Sequence, residues 1–289
     1  MKNIEIRKVL IIVNLLKKDA DELVREISTH LESLEIQVKV LGLRGKEKID
    51  QFPEVSDTDL VLSLGGDGTV LFTARAITPH NIPVLAVNIG DLGFITEVTK
   101  EEWKSALDGY LSGMMETSTR ILIKVMVERK GEIIAELEGL NDAVICANGI
   151  SKVVRLAVTI GKTRLGRYRA DGIIVSTPTG STAYSAAAGG PVLAPEMEAL
   201  VLTPICPFTL SNRTIVVKGD ECIAVSVEEE QRAKLILTVD GQVVVPLEPK
   251  DTLHICQSQR KVSLVGSNKR NFYEVLRTKL NWSGGPDAE

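Results

Sequence analysis

Leu64-Gly65-Gly66-Asp67-Gly68-Thr69 is the stretch of sequence that decides the fold. The apolar run that leads into its glycines, residues 59–64, predicts a buried strand, and residues 70–76 predict the start of a helix. Glycines at a strand-to-helix turn let backbone N–H groups approach a phosphate closely, and the helix N-terminus adds a favourable dipole. The stretch therefore predicts an α/β fold with a turn suited to phosphate.

Asp67 is the unusual residue of this turn, because a carboxylate in such a cradle would repel the phosphate. It therefore needs another role, which is to bind a metal ion or to accept a proton from a hydroxyl beside the phosphates. Both roles point to phosphoryl transfer rather than hydride transfer. The alternative is a tight turn that uses Gly and Asp without any ligand.

Strands alternate with helices through the first part of the chain. The predicted strands are residues 9–14, 37–41, 59–64 and 83–88, and the predicted helices are 20–34 and 101–111. This alternation indicates a three-layer α/β domain with a mostly parallel sheet, over residues 1–117. Ligands on such sheets bind beyond the carboxyl ends of the strands, where Asp67 and the loop from Asn88 to Phe94 fall. Phe94 is either a core residue or a contact for a base.

The pattern changes after about residue 118 to short β-branched runs. Residues 121–127 and 132–138 predict a β-hairpin around a Lys-Gly turn. Further strands are predicted at 153–160, 173–176, 214–217, 223–227, 235–239 and 253–256. Residues 118–265 therefore form a predicted β-rich, sandwich-like domain. A helix at 271–280 and the rest of the segment 266–289 are expected to pack back on the first domain, with a loose tail from residue 282.

A run of hydroxyl side chains follows the predicted strand 173–176. Residues 171–185 contain Ser or Thr at six positions, together with Pro178 and Gly180. Hydroxyls packed this densely need hydrogen-bond partners if they are buried, and the ribose, phosphate and amide groups of a nucleotide supply many. The alternative is a solvated Ser/Thr-rich loop, which the apolar flanking residues disfavour.

Two shorter motifs have two interpretations each. Asn141-Asp142 is either a turn after the hairpin or an amide and carboxylate that contact a ribose or a base edge. Asp240-Gly241-Gln242 is either the turn of a hairpin or part of a ligand site. The residues alone leave both pairs of alternatives open.

Composition narrows the class of protein. The 289 residues are 44% hydrophobic and 25% charged with a net charge of -4, which is typical of a globular protein and does not favour nucleic acid or a membrane surface as partner. The N-terminus leads directly into a strand, so no signal peptide is predicted and the cytoplasm is the expected location. The four cysteines lack CxxC spacing, and reduced thiols are expected.

Together these motifs resemble the NAD kinase family in order and spacing over residues 9–270. The glycine-rich turn is also found in diacylglycerol kinases, sphingosine kinases and phosphofructokinases, whereas the Ser/Thr segment singles out NAD kinases. The resemblance extends to five segments, namely 65–69, 88–94, 141–142, 171–184 and 240–242.

The resemblance implies phosphorylation of the adenosine ribose 2′-hydroxyl of NAD by ATP with Mg²⁺, which gives NADP. Some members accept polyphosphate or NADH. Mg²⁺ is expected to bind with ATP, with no metal ligands assigned on the protein. A homodimer or homotetramer is also implied, without nucleic acid or membrane.

The resemblance also implies residue roles. Asp67 is the general base on the 2′-hydroxyl, and Asn141 and Asp142 bind adenine and ribose. The other implied substrate-binding and nucleotide-binding residues are Gly65, Gly66, Gly68, Thr69, Phe94, Asp171, Thr179, Ser181, Thr182, Ala183, Tyr184, Ser185, Asp240 and Gln242.

The chain departs from the family pattern at two positions. Asp142 stands where many members have Glu, and Ala187 stands where many have Ser, which puts discrimination between NAD and NADH in doubt. Two alternatives remain: a lipid or sugar kinase that shares the glycine-rich turn, and a non-catalytic NAD(P) sensor on the same scaffold. A lipid or sugar kinase leaves the Ser/Thr segment unexplained. A non-catalytic sensor does not need the Asp67 carboxylate in the phosphate turn.

Overall fold

The computed structural model describes residues 5–45, 55–149, 153–209, 211–267 and 269–282. The chain divides into two compact units. The first unit comprises Met1–Thr119 with Val262–Glu289, and the second comprises Arg120–Lys261. The predicted loose tail lies, apart from Trp282, outside the described residues.

The described elements are mostly strands. In chain order they are β1 (Lys8–Asn14), β2 (Gln37–Leu43), β3 (Leu60–Gly65), β4 (Val84–Asn88), β5 (Val98–Thr99), β6 (Thr117–Arg129), β7 (Glu132–Gly139), β8 (Asp142–Ala147), β9 (Val154–Ile160), β10 (Thr163–Ala170), β11 (Gly172–Ser176), β12 (Ala199–Ile205), β13 (Ile215–Lys218), β14 (Ile223–Val227), β15 (Leu235–Val239), β16 (Val243–Leu247) and β17 (Thr252–Val265). The helices are α1 (Ala20–Ser33), α2 (Asp67–Ile77), α3 (Trp103–Leu111), α4 (Tyr184–Ala187) and α5 (Phe272–Leu280), with 3-10 turns at Thr78–His80 and Thr179–Thr182. None of the helices described is both long and apolar enough to cross a membrane.

The first unit is built on a parallel sheet. Its strands lie in the order β4, β3, β1, β2, and the end of β17 joins β4 through Leu264 and Val84. β3 and β4 are buried along their whole length. Unbroken apolar strands are expected where both faces of a parallel sheet are covered.

Helices cover both faces of this sheet. On one face, Ile27 of α1 and Leu107 of α3 belong to one apolar cluster with Ile11 and Leu62 of the sheet. The next residue of β3, Ser63, points to the opposite face and accepts a 3.2 Å hydrogen bond from Thr73 of α2. This arrangement confirms the predicted three-layer α/β fold.

The second unit contains two β layers around one core. One layer is antiparallel in the order β13, β12, β11, β8, β15, β16. The other contains β10, β9, β14 and the first part of β17, with the β6–β7 hairpin. Ile145 and Ile173 of the first layer share a buried cluster with Leu156 and Val225 of the second, which confirms the sandwich-like prediction.

Two cysteines form a disulfide, so the expectation of four reduced thiols is wrong for this pair. β14 and β17 pair antiparallel with Ile223 opposite Ile255. This register sets Cys222 opposite Cys256, with Cα atoms 4.4 Å apart, and the two sulfurs are bonded. They are 34 residues apart in sequence, so the pairing follows from strand register, which spacing alone does not reveal. Cys146 and Cys206 are free.

Candidate active site

Asp67 is the first residue of α2, at the carboxyl edge of the parallel sheet. Gly66 before it is extended, with φ −132° and ψ −171°. The backbone N–H of Ile89 donates to the Gly65 carbonyl over 2.8 Å, so the ends of β3 and β4 are joined beside the turn. The sheet thus places the glycine-rich turn where ligands of α/β folds bind.

The Asp67 carboxylate is held by the loop that follows β4. Oδ2 accepts a hydrogen bond from the Phe94 backbone N–H at 2.9 Å. Oδ1 accepts from the backbone N–H groups of Ile95 and Thr96 at 3.2 and 3.1 Å, and from the Thr96 hydroxyl at 3.0 Å. Four donors therefore fix the direction in which the carboxylate points.

The glycines around Asp67 differ in the space that is available beside them. A Cβ on Gly93 would overlap Asp67 Oδ1, and a Cβ on Gly65 would overlap the Thr69 hydroxyl. A Cβ on Gly66 would meet no atom within 4 Å. The space beside Gly66 is thus open, and Gly68, the other glycine of the turn, is exposed. Thr69 is buried in the first turn of α2.

The C-terminal helix α5 lies near the loop that holds Asp67. The Lys279 ammonium lies over the Phe94 ring, 5.9 Å from its centroid. Arg270, just before α5, donates to both carboxylate oxygens of Glu102 at 2.7 Å and to the Glu97 carbonyl at 2.7 Å. Hydrogen bonds from Arg270 lower the pKa of Glu102 to about 2. This ion pair anchors the start of α5 beside α3.

In the second unit, Asp240 organises the backbone at Asn141 and Asp142. Asp240 Oδ1 accepts from the N–H groups of Asn141 and Asp142 at 2.7 and 3.3 Å, and Oδ2 accepts from Leu140 at 3.1 Å. Asp240 and Gly241 have φ of 53° and 63° in the turn between β15 and β16. The motif therefore forms a hairpin turn with Gln242 exposed beyond it, and the predicted ligand contact of Asp240 and Gln242 stays a prediction.

Asp142 is a buried carboxylate in an acidic setting. Its exposed fraction is 5%, and that of Asp240 is 6%. Burial, together with the nearby Asp240 charge, raises the pKa of Asp142 to about 7. Among the described residues, none donates a hydrogen bond to the Asp142 carboxylate. A buried carboxylate without a donor is suited to accept hydrogen bonds from a ligand.

Three buried oxygens beside Asp142 lack hydrogen-bond partners within the described ranges of the chain: Asn141 Oδ1, Ser176 Oγ and Thr179 Oγ1. Ser176 lies opposite Asp142 in the β11–β8 register. The Thr177 N–H donates to the Asn141 carbonyl at 2.8 Å, and a Cβ on Gly180 would overlap that same carbonyl. The end of β11 and the turn after it therefore pack against Asn141, and the three unpartnered oxygens belong to these neighbouring segments.

Other hydroxyls of the Ser/Thr segment bond within the protein. Ser181 Oγ donates to the Pro178 carbonyl at 2.6 Å and accepts from the Leu193 N–H at 3.0 Å. Ser185 Oγ lies 2.9 Å from Thr203 Oγ1, and Thr182 Oγ1 donates to the Thr179 carbonyl at 3.2 Å. These bonds shape the turn, and the predicted contact of these three residues with a ligand stays a prediction.

Tyr184 and Asp171 act on each other electrostatically. Partial burial raises the pKa of the Tyr184 hydroxyl, and the charges of Cys146, Cys206, Asp171 and Asp142 raise it further. Tyr184 is 48% exposed, so its ring is accessible at the start of α4. Ala183 precedes it as the residue between the 3-10 turn and α4.

Sequence reasoning missed Thr96 as a candidate site residue and included Ser176 only as one hydroxyl of the Ser/Thr segment. Thr96 bonds with Asp67 29 positions earlier in the chain, and Ser176 is a polar residue that ends an apolar strand. For Thr96, a lone polar residue near buried apolar residues is the only signal that the sequence offers.

Family comparisons cover both units. The ATP-NAD kinase N-terminal domain model matches residues 9–115, and the ATP-NAD kinase C-terminal domain model matches residues 140–267. The chain belongs to the NAD kinase family. An NAD kinase of Treponema denticola is 43% identical over 279 residues, 96% of this chain and 97% of that protein. An NAD kinase of Treponema pallidum (strain Nichols) is 38% identical, over 96% and 90% of the two chains.

Solved NAD kinase structures have the same fold. An NAD kinase from Archaeoglobus fulgidus in complex with ATP has a TM-score of 0.74 at 25% identity, over 94% of this chain and 99% of that one. The yeast NADH kinase complexed with NADH has a TM-score of 0.83 at 23% identity, over 97% and 89%. The reaction class of this chain is thus that of the NAD kinase family, phosphoryl transfer.

Proposed function

We propose that the chain transfers the terminal phosphoryl group of ATP to the 2′-hydroxyl of the adenosine ribose of NAD, which gives NADP. The observation that carries this proposal is that buried oxygens on Asn141, Ser176 and Thr179 lack hydrogen-bond partners, in the segments that adjoin the buried Asp142. Buried polar atoms rarely stay without partners in a native protein. An adenosine offers an amino group and a ribose diol, which can donate the hydrogen bonds that these three oxygens lack.

The residues in the second unit suit the two parts of adenosine. Asn141 Oδ1 is an acceptor, so it suits the adenine amino group, and the Thr179 hydroxyl suits a ring nitrogen. The Asp142 carboxylate accepts from both ribose hydroxyls, although it is one methylene shorter than the Glu of many members. Asp240 contributes indirectly, because it fixes the backbone that presents Asn141 and Asp142.

In the first unit, Asp67 accepts the proton of the attacking hydroxyl. Oδ1 already accepts three hydrogen bonds, whereas Oδ2 accepts one, so Oδ2 is the oxygen with a lone pair to offer. The 2′-oxygen forms a bond to the terminal phosphorus while the bond from that phosphorus to the bridging oxygen breaks. ADP leaves, and the proton resides on Asp67. Open space beside Gly66 and the N-terminus of α2 accommodate the donor phosphates.

Mg²⁺ is expected to arrive with ATP. No group of three or more His, Cys, Asp or Glu residues that could hold a metal occurs in the described part of the chain. We expect the cation to be held through phosphate oxygens and water, as Mg²⁺ commonly is. Such a cation neutralises charge on the transferred group when it is bound.

We further propose that residues 1–117 with 266–289 carry the phosphate chemistry and that residues 118–265 form the dinucleotide-binding domain. A homodimer or homotetramer, a cytoplasmic location and use of polyphosphate in place of ATP stay predictions from the resemblance. Light scattering at several protein concentrations measures the assembly. Competition between ATP and polyphosphate measures which phosphoryl donor the protein prefers.

The test is a coupled assay with purified protein, NAD, ATP and Mg²⁺, in which an NADP-specific dehydrogenase detects the product. NADH, polyphosphate and a reaction without donor run in parallel. We expect donor-dependent NADP formation that Asp67→Ala lowers by a factor of roughly 10² to 10⁴. Asp91→Asn serves as the matched control and should retain activity, because Asp91 is an exposed residue of the loop after β4.

Other outcomes identify the competing functions. NAD binding by calorimetry without NADP from any donor would indicate a sensor. Absence of NAD binding, with phosphorylation of diacylglycerol, sphingosine or fructose phosphate, would indicate a lipid or sugar kinase.

A further inference from the structure

The Thr96 hydroxyl occupies a defined position between two side chains. Its Oγ1 accepts a 2.6 Å hydrogen bond from Asn88 Nδ2 and donates over 3.0 Å to Asp67 Oδ1. Asn88 and Thr96 are 3% and 0% exposed, so water does not compete for these bonds. Asn88 ends β4, directly beside Gly65 at the end of β3.

This chain of hydrogen bonds has one direction. A hydroxyl has a single proton, and because Asn88 donates to Thr96 Oγ1, that proton is free to point at Asp67. Hydrogen bonds to an ionised carboxylate are short and strong, and their direction fixes the side-chain rotamer. Asn88 therefore orients the Thr96 hydroxyl, and Thr96 orients Asp67.

We propose that Thr96 is a positioning residue for the phosphoryl-transfer step, with Asn88 behind it. Its hydroxyl holds Asp67 Oδ1, which leaves Oδ2 directed at the proton of the attacking alcohol. This inference rests on the proposed function of Asp67 as the proton acceptor. Proton-transfer geometry is sensitive to small displacements, so loss of the hydroxyl lowers turnover although it removes no group that touches the substrate.

The test compares Thr96→Val with Thr96→Ser in the full-length protein. Val keeps the shape and removes the hydroxyl, whereas Ser keeps the hydroxyl and removes a methyl group. We expect kcat for NADP formation to fall roughly 10- to 100-fold in Thr96→Val with KM for NAD changed less than about twofold, and Thr96→Ser to restore kcat to within about threefold.

A double-variant cycle separates positioning from general damage to the fold. In an Asp67→Ala background, Thr96→Val should cause no further loss of kcat, since the group that it positions is gone. Asn88→Leu should lower kcat by a smaller factor, roughly 3- to 10-fold, and it tests the same chain of bonds if Thr96→Val fails to fold.

Specific results would overturn the proposal. They are equal kcat in Thr96→Val and the parent protein, equal damage by Val and Ser, or a full additional loss in the Asp67→Ala background. Failure of the proposed function is recognised separately, because the parent protein would then form no NADP before any variant is compared.

Discussion

Asp240 Oδ1 lies 2.7 Å from the backbone nitrogen of Asn141, 99 positions earlier in the chain, and accepts its hydrogen bond. The same carboxylate also receives the N–H groups of Leu140 and Asp142. A turn residue of one hairpin therefore sets the conformation of the segment that carries the proposed adenosine contacts. Asp240 acts on the ligand site through the backbone, and its own oxygens are already engaged.

Asp240→Asn should weaken NAD binding and destabilise the second unit. An amide has one oxygen and would turn an N–H group toward at least one backbone donor, which costs about 1–3 kcal/mol in a buried site. We expect the Kd for NAD to rise roughly tenfold or more and the midpoint of thermal unfolding to fall. Calorimetry and thermal unfolding measure the two effects. Asp220→Asn, an exposed change in the same unit, is the control, and equal effects of both substitutions would contradict the assignment.

The raised pKa of Asp142 makes stability depend on pH. In the folded chain this pKa is about 7, whereas the pKa of an Asp in an unfolded chain is about 3.9. Between these values the native state binds more protons than the unfolded state, so the free energy of unfolding falls as pH rises from about 4 to about 7. Asp142→Asn removes this dependence and should raise the unfolding temperature at pH 8 relative to the parent protein.

Thermal unfolding of both proteins at pH 5 and pH 8 measures the effect. Equal pH slopes for Asp142→Asn and the parent protein would show that this carboxyl does not titrate in that range. In the parent protein, NAD binding should tighten as pH rises through 7, because the ionised carboxylate accepts both ribose hydroxyls.

Gly66→Ala and Gly93→Ala should impair different properties of the protein. The new methyl group at position 93 would overlap Asp67 Oδ1, so we expect loss of both activity and thermal stability. At position 66 it would meet no protein atom, and the backbone there is extended, so stability should be unchanged. If donor phosphates occupy that space, KM for ATP rises roughly tenfold or more. Unchanged KM for ATP in Gly66→Ala would place the phosphates elsewhere.

Arg270→Ala should destabilise the first unit at neutral pH. The Arg270 hydrogen bonds lower the pKa of Glu102 to about 2, so their contribution is complete above the ordinary pKa of Glu and is lost as pH falls toward 2. We expect a loss of about 1–3 kcal/mol at pH 7 and a smaller difference at pH 3. Denaturant unfolding at both pH values checks this. Arg277→Ala on the exposed side of α5 is the control and should have little effect.

Much of the first unit is predictable from sequence because its strands are buried on both faces. β1, β3 and β4 consist mostly of buried apolar residues. α1 has one apolar face, on which Leu23, Ile27 and Leu31 are buried. The same reasoning missed β10, in which arginines alternate along an exposed face, and β12, which contains Pro204. A strand whose polar residues face solvent carries a weaker signal than a buried one.

The candidate site was predictable only in part. Asp67 stands out locally, since a carboxylate in a phosphate turn needs a reason, and Asn141 and Asp142 stand out by the resemblance. The partners that hold these residues, Thr96 and Asp240, lie far away in sequence and are brought near by strand register. Local patterns indicate which groups do chemistry, whereas tertiary pairing determines which groups orient them.

Three of the four donors to Asp67 belong to the backbone of residues 94–96. An amide hydrogen is present in every residue except proline, so the identity of the side chains at 94 and 95 has little influence on how Asp67 is held. Ile95 is itself buried, so apolar replacements at position 95 should retain turnover, whereas proline, which lacks the amide hydrogen, should abolish it. Position 95 can thus exchange one apolar side chain for another, while 93 must stay without a side chain.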